Sequence, residues 1–496
     1  MGLIAAGYLI ALIFVVRLLA MLSKSPLKWY HDPMVLFSSM WIFGYLVYAS
    51  PIFSVRESIT YEATLYVMLA HTLFFLGTLL PDFFSRDTVK MNTFAVQPGQ
   101  TDVQWNLSFS LLAIIGLVGL VGLSSVLIDG ILTSSVGLGE RLTGGALSEV
   151  RNETFARAQG LEAQGPLVRL NQFAAAAFVF IGLLLNVRLD RFGPLKRFFL
   201  IALGVVSALL IVFNQLLIRS GRMDIIVLLL FITFAVSLFP ASAARVSLVR
   251  FIRHHRVAVV ILGLPVLLGL VYFLGVVFVQ GRSGGVSALF SLYAAHRMGL
   301  TGVVESLVVG SAPLEAAVLS LSYVVAPLTT HSFYFGLSDA GFSGPYWGQY
   351  NFQYLTSTVM RYTGYGADWQ FFWSIRDRVW APLSMLGYGT NVWATVLRDL
   401  AIDFGWIGAL IWVFFLGLGS KWLAMKAISG RYPALVVAYS FTAVFLLFSF
   451  AISMFFVTSV FPPFMYAMVL YAFLASRGFM KPKPLRAVGL QPTARR

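Results

Sequence analysis

The chain has no cysteine among its 496 residues. Disulfides, thiolate nucleophiles and cysteine-based metal sites are therefore excluded. Charge is nearly as scarce, at 11% of residues, where a soluble domain carries about a quarter. Hydrophobic side chains make up 59%. The chain could bury a core many times over, so its solvent is lipid. Nucleotide motifs are missing too: there is no Walker A sequence, and "GLGERLTGG" does not fit the G-x-G-x-x-G spacing. There is no H-E-x-x-H. His254 and His255 sit among arginines, and His296 and His331 stand apart, so no histidine set has metal-ligand spacing.

What is present is a series of apolar runs. Eleven are long enough to cross about 30 Å of hydrocarbon: 2–22, 33–53, 60–80, 105–128, 168–187, 198–218, 225–241, 257–279, 403–424, 433–456 and 460–476. The expected fold is an all-α polytopic membrane protein with about eleven transmembrane helices, forming one integral membrane domain over 1–496. The first run lacks a basic leader and contains Arg17, so it reads as a retained span.

The formal charge of +15 is distributed with the spans. One alternating set of loops holds all 8 lysines and 13 of the 27 arginines, among them Arg188, Arg191, Arg250, Arg253, Lys421 and the basic residues of the tail over 477–496. Its acidic residues are Asp32, Asp82, Asp87, Asp102 and Asp190. The opposite set is nearly balanced and has no lysine. The positive-inside rule puts the basic set, the C-terminal tail included, in the cytoplasm. The basic excess is thus a topology signal and not a nucleic-acid footprint, because the basic loops are short and lack stacking aromatics.

Two loops on the outer face are long, 129–167 and 280–402. The first contains "LSEVRNETFARAQGLEAQG", which reads as an amphipathic helix over 147–160. The second is rich in Tyr, Trp and Phe. It also carries an apolar stretch at Met298–Thr330, broken by Gly310, Pro313 and Pro327, which suits a re-entrant or interfacial hairpin better than a clean span. Few ionisable residues fall within the spans, which argues against a proton-relay transporter.

The segment "YGTNVWATVLRDLAIDFGWIGALIWVFFLGL", with "LLIRSGRMDIIVLLL" and "FVQGRSGG", resembles the bacterial oligosaccharide repeat-unit polymerases, the Wzy-type O-antigen polymerases. The resemblance is one of topology over most of the chain and of sequence over roughly 385–420 and the two Arg-containing turns. It implies a GT-C-like bundle with two large periplasmic loops, in the bacterial inner membrane. The implied activity is a metal-independent, cofactor-free glycosyltransferase of lipopolysaccharide or surface-polysaccharide biosynthesis. It would join undecaprenyl-pyrophosphate-linked oligosaccharides at the periplasmic face, beside a chain-length-regulating co-polymerase. An O-antigen ligase is the alternative, and a flippase or transporter of lipid-linked sugars a third. The family's Arg-ten-residues-Gly pattern is not met, since Glu162 follows Arg151 and Tyr293 follows Arg282 at that spacing. Roles tied to that pattern do not transfer.

Residue chemistry nominates a site independently. A lipid diphosphate needs planar arginine forks, and the outer set offers Arg219, Arg222, Arg282, Arg376, Arg378 and Arg398. An acceptor hydroxyl needs a base: Asp403, Glu153 or His331. Sugar rings need aromatic faces: Tyr346, Trp347, Tyr350 and Trp369. Each has a plainer reading. Arg219 and Arg222 suit interface anchors, Asp403 suits an N-cap, and Glu153 suits a salt-bridge partner. His331 suits a satisfied buried histidine, and the aromatics suit loop packing. The topology is testable: a periplasm-active enzyme fused after Arg496 should be silent, and activity there would overturn the orientation.

Overall fold

The computed structural model describes residues 2–22, 27–55, 58–89, 107–137, 170–187, 189–218, 223–238, 298–336, 346–352, 395–428, 432–451 and 459–476, with Glu140, Glu149, Glu153, Leu167, Leu355, Ser453, Phe455 and Val457 between them. The 257–279 run, the 477–496 tail and most of both long outer loops lie outside these residues. Among the described residues the chain is almost entirely helical, with one two-stranded sheet.

Helix α1 is Gly2–Leu22. A short 3-10 turn then leads to α2, Pro33–Ala49, which starts where Asp32 caps the Met34 N–H at 2.9 Å and proline sits in the first turn. Strand β1 is Phe53–Val55 and α3 is Tyr61–Val89. Ser108 caps α4, Phe109–Leu132, through the Leu111 N–H. There follow α5, Ala175–Asn186, α6, Pro194–Phe213, and α7, Met223–Ser237. Strand β2, Met298–Leu300, pairs antiparallel with β1, Phe53 opposite Leu300. Then come α8, Gly302–Val308, α9, Ala312–Gly336, α10, Val396–Ile428, α11, Pro433–Phe448, and α12, Phe461–Ser476.

Six of these helices are long and apolar enough to cross a bilayer: α1, α3, α4, α6, α9 and α10. Large apolar side chains such as Leu3, Phe14, Ile114, Leu117, Ile407 and Phe415 are exposed on them, as helices facing lipid require. The apolar runs at 33–53, 168–187, 225–241, 433–456 and 460–476 form shorter helices of 10–17 residues.

α9 departs most from the sequence reading. The helix continues through Pro327 for 25 residues. Val324 and Leu328 lie against Gly44 of α2, His331 against Tyr66, and the Thr60 N–H donates to Ser332 Oγ. All these partners belong to the end of α2 and α3 that carries the sheet. The C-terminal half of the helix therefore packs against that end of α2 and α3.

A very close crossing joins α3 and α10. A Cβ on Gly77 would stand 2.2 Å from Phe414 O, and one on Gly417 2.2 Å from Phe74 O. With no hydrophobic force between helices in lipid, small residues that let backbones touch are the main adhesive. At the end opposite the sheet, Lys421 Nζ meets Asp32 Oδ2 at 3.1 Å, with both side chains about 95% buried. The sequence reading counted both as loop charges. Folding instead matches them with each other.

α11 begins below α2, where Tyr439 donates to the His31 carbonyl, and ends at Ser449. There Trp41 Nε1, half-way along α2, donates to Ser449 Oγ at 3.3 Å. The break between α11 and α12 therefore sits level with the middle of α2. A helix of 16 residues spans roughly 24 Å, less than a bilayer core.

Gly417→Ala should lower the thermal unfolding midpoint in detergent, with overpacking costing about 1–3 kcal/mol. Gly419→Ala is the control, since a Cβ there meets nothing within 4 Å. Equal midpoints for the two variants would refute the packing argument.

Candidate functional site

Among the described residues, a densely hydrogen-bonded polar cluster is built on the first turns of α10. Thr395 ends the preceding segment and caps the helix, its Oγ1 accepting from the Arg398 N–H at 3.3 Å. Asp399 falls in the first turn, where the helix dipole favours an anion. One turn on, Asp403 shares its face, because positions four apart stack on a helix. The segment stops at Gly405, whose φ of 70° and ψ of 170° are open almost only to glycine, and a new helical stretch resumes beyond it.

Arg398 and Asp399 form an ion pair with both side chains 1% exposed. Asp399 Oδ1 accepts from Arg398 Nη2 at 2.6 Å and Nε at 3.1 Å, and Oδ2 accepts from the Ser453 N–H at 2.8 Å. Arg398 also donates to Tyr350 Oη at 3.3 Å and lies 4.9 Å from the Tyr334 ring centre. Ion pairs this deep survive only when further bonds offset their lost hydration. Here the break after α11, the end of α9 and the 346–352 turn all supply them.

Asp403 holds that turn. Its Oδ1 accepts from the Tyr350 N–H at 2.9 Å, and its Oδ2 from the Asn351 N–H and Nδ2, both at 2.7 Å. Asn351 Nδ2 donates to the Asp399 carbonyl as well, at 2.6 Å. The Trp347 N–H donates to the Asp403 carbonyl at 2.9 Å. Asp403 therefore caps a different segment. The helix begins at Val396, not at Asp403, because Arg398 and Asp399 neutralise each other and extend the buried run toward the N-terminus. Both Asp403 oxygens are occupied, so a catalytic base here would first have to release the 350–351 backbone.

His331, near the end of α9, reaches the same helix start through Nδ1, 3.0 Å from Thr395 Oγ1. Its Nε2 is buried with no hydrogen-bond partner. The ring lies among Tyr66, Phe335 and Trp406, with centroids 5.7–6.3 Å away.

The fold thus brings together Asp403, His331, Tyr350, Tyr346 and Trp347 of the nominated residues. It adds Arg398, from the outer-face arginines, and Asp399, Asn351, Tyr334, Thr395 and Ser453, which the sequence reading missed. A signal was available: "TVLRDLAID" places a capping threonine and two aspartates four apart on one face. Glu153 lies elsewhere, accepting from Ser134 Oγ, Ser135 Oγ and the Ser135 N–H beyond α4. Arg219, Arg222, Arg282, Arg376, Arg378 and Trp369 lie outside the described residues, as does most of the 147–160 segment. Among the described residues no His, Asp and Glu are grouped as metal ligands.

Comparison with protein-family models, with curated proteins and with solved structures finds no match.

Asp399→Ala would strand a buried guanidinium, and should destabilise the chain by about 3–5 kcal/mol. Arg398→Met with Asp399→Ala should recover much of that loss. Denaturant titration in detergent decides the point: a double variant no more stable than the single one would show that the pair is not the unit of stability.

Proposed function

We propose that the protein is a membrane glycosyltransferase that polymerises oligosaccharide repeat units carried on undecaprenyl pyrophosphate. The observation that carries this reading is a buried cluster, Arg398, Asp399, His331, Asn351 and Ser453, at the sheet end of a polytopic bundle, with exposed Trp347 on the turn that Asp403 holds. The proposed setting is the bacterial inner membrane, with about eleven spans, the sheet end periplasmic, the tail inside and a chain-length-regulating co-polymerase as partner. The resemblance over 385–420 supports it, since Arg398 and Asp399, at the centre of the cluster, fall in that stretch.

In this reaction the acceptor hydroxyl oxygen bonds to the donor's anomeric carbon. The anomeric C–O bond to the diphosphate breaks, and its electron pair leaves with the lipid diphosphate. The hydroxyl proton passes to a base. Both aspartates are fully hydrogen-bonded, so His331 is the better-placed base among the described residues. In the tautomer whose Nδ1–H donates to Thr395 Oγ1, its Nε2 keeps a lone pair. Arg222 and Arg282 are assigned to the diphosphate because a planar fork binds phosphate oxygens in pairs and stabilises charge on the leaving group.

Reconstitution with a lipid-linked repeat unit alone tests the reading. A ladder of longer lipid-linked glycans supports polymerisation. Product only when lipid A core is added means a ligase, and no covalent product means a transporter. Arg282→Ala and Arg222→Ala should each lower turnover about ten- to a thousandfold at normal membrane abundance. Arg282→Lys should recover only part, having the charge without the fork. Full-rate chain growth in either Ala variant makes that arginine an interface anchor.

A further inference from the structure

Three polar atoms on residues bonded to the start of α10 have no partner although their residues are buried. Ser453 Oγ, His331 Nε2 and Asn351 Oδ1 are all without a hydrogen bond. Their residues are 0–2% exposed. Each belongs to a residue one hydrogen bond from the same helix start: Ser453 through its backbone N–H to Asp399, Asn351 through Nδ2 to Asp399 and Asp403, and His331 through Nδ1 to Thr395. Leaving a buried polar group unsatisfied costs about 1–3 kcal/mol. Such a concentration at one place marks a site that something polar fills.

A second observation comes from the backbone. Trp347 has φ of 53°, the left-handed region that large side chains rarely adopt, and it is 76% exposed. The strain is held by its N–H bond to the Asp403 carbonyl. Folding thus spends energy to keep a large aromatic side chain exposed on the turn that Asp403 holds. Its neighbour Tyr350 lies inside the cluster at 4% exposure.

The charge count decides what the filler is. The cluster holds one guanidinium and two carboxylates, Arg398 against Asp399 and Asp403, and Arg398 is already bound to Asp399. Its formal charge with these groups ionised is negative, which disfavours a phosphate. Ser453 Oγ, His331 Nε2 and Asn351 Oδ1 together offer donors and acceptors in a mixed set. That mixture suits hydroxyl groups, and an exposed indole suits the apolar face of a sugar ring.

We infer that the Arg398 cluster with Trp347 is a subsite for a neutral sugar residue, the acceptor end of the glycan, and that the lipid diphosphate is held elsewhere. This rests on the glycosyltransferase reading for the word acceptor, but the binding of a sugar is testable without it. The probes are methyl glycosides of a hexose, an N-acetylhexosamine and a 6-deoxyhexose, and inorganic pyrophosphate. Each is titrated at millimolar concentration into the full-length protein in nanodiscs, and the thermal midpoint is read. At least one glycoside should raise the midpoint of the wild type, and pyrophosphate should not act through this cluster. Ser453→Ala removes an unsatisfied hydroxyl and keeps the backbone bond to Asp399, so the unliganded midpoint should hold. Trp347→Ala changes an exposed side chain and should likewise fold. Each should weaken glycoside binding by about three- to tenfold.

A wild-type midpoint unmoved by every glycoside would overturn the inference and leave the cluster to water. So would a pyrophosphate shift abolished by Ser453→Ala, or glycoside binding indifferent to both variants. Glycoside binding that both variants weaken, in a protein that makes no ladder on reconstitution, would keep the sugar subsite and dismiss the polymerase.

Discussion

The ion pair between Arg398 and Asp399 is the interaction on which the rest of this site depends. Two adjacent residues on a helix do not normally face each other. They meet here because the arginine is long enough to fold back on its neighbour, placing both nitrogens of its fork on one carboxylate oxygen. The pair alone would not repay its desolvation in so buried a place. It persists because the other Asp399 oxygen takes the Ser453 N–H and because Arg398 rests on Tyr334 and donates to Tyr350. Each of those partners belongs to a different segment. Satisfying one charge pair therefore fixes the relative positions of α9, the 346–352 turn, the start of α10 and the break after α11.

α10 is held at two ends by opposite charges and in the middle by their absence. At one end is the Arg398–Asp399 pair, and toward the other is Lys421 on Asp32. Between them Gly417 and Gly77 let α10 and α3 approach until backbone atoms touch. The order follows from the solvent. In lipid, apolar side chains gain little by leaving one apolar environment for another, so geometry comes from close backbone contact and from polar groups with nowhere else to go. Gly405 adds a joint, letting the short segment that carries the cluster take its own direction while Tyr66 Oη donates to the Trp406 carbonyl just beyond.

Most helices were legible because a 20-residue apolar run has few other solutions. The errors lie where charge was read one residue at a time. Lys421 and Asp32 each looked like loop residues, yet as a pair they are compatible with a helix packed to its last turns. Arg398 and Asp399 likewise pushed the expected start of the span to Asp403, seven residues late. Pro327 looked like a break, but α9 runs through it, as proline can in a helix packed within a bundle. Asp403 was found for the wrong bond: the cap it provides is to Tyr350 and Asn351, more than fifty residues away, and no local pattern announces such a partner. Glu153 illustrates the reverse, since its local setting beside an arginine gave no hint of Ser134 and Ser135.

Counting hydrogen bonds separates the roles that residue type alone had left together. A carboxylate with all its oxygens engaged is a scaffold, and Asp399 and Asp403 are both in that condition. A buried ring nitrogen with no partner is not in that condition. His331 is held by Thr395 at one nitrogen and open at the other. The two aspartates thus serve by immobilising Arg398, Asn351 and the Trp347 turn, and the unsatisfied atoms they hold in place are the part of the cluster left to meet a ligand. In the proposed subsite Ser453, His331 and Asn351 offer groups that carry no net charge, while the two carboxylates are engaged in holding the frame. That division is what makes a neutral, hydroxyl-bearing ligand a better match than an anion, even with an arginine at the centre.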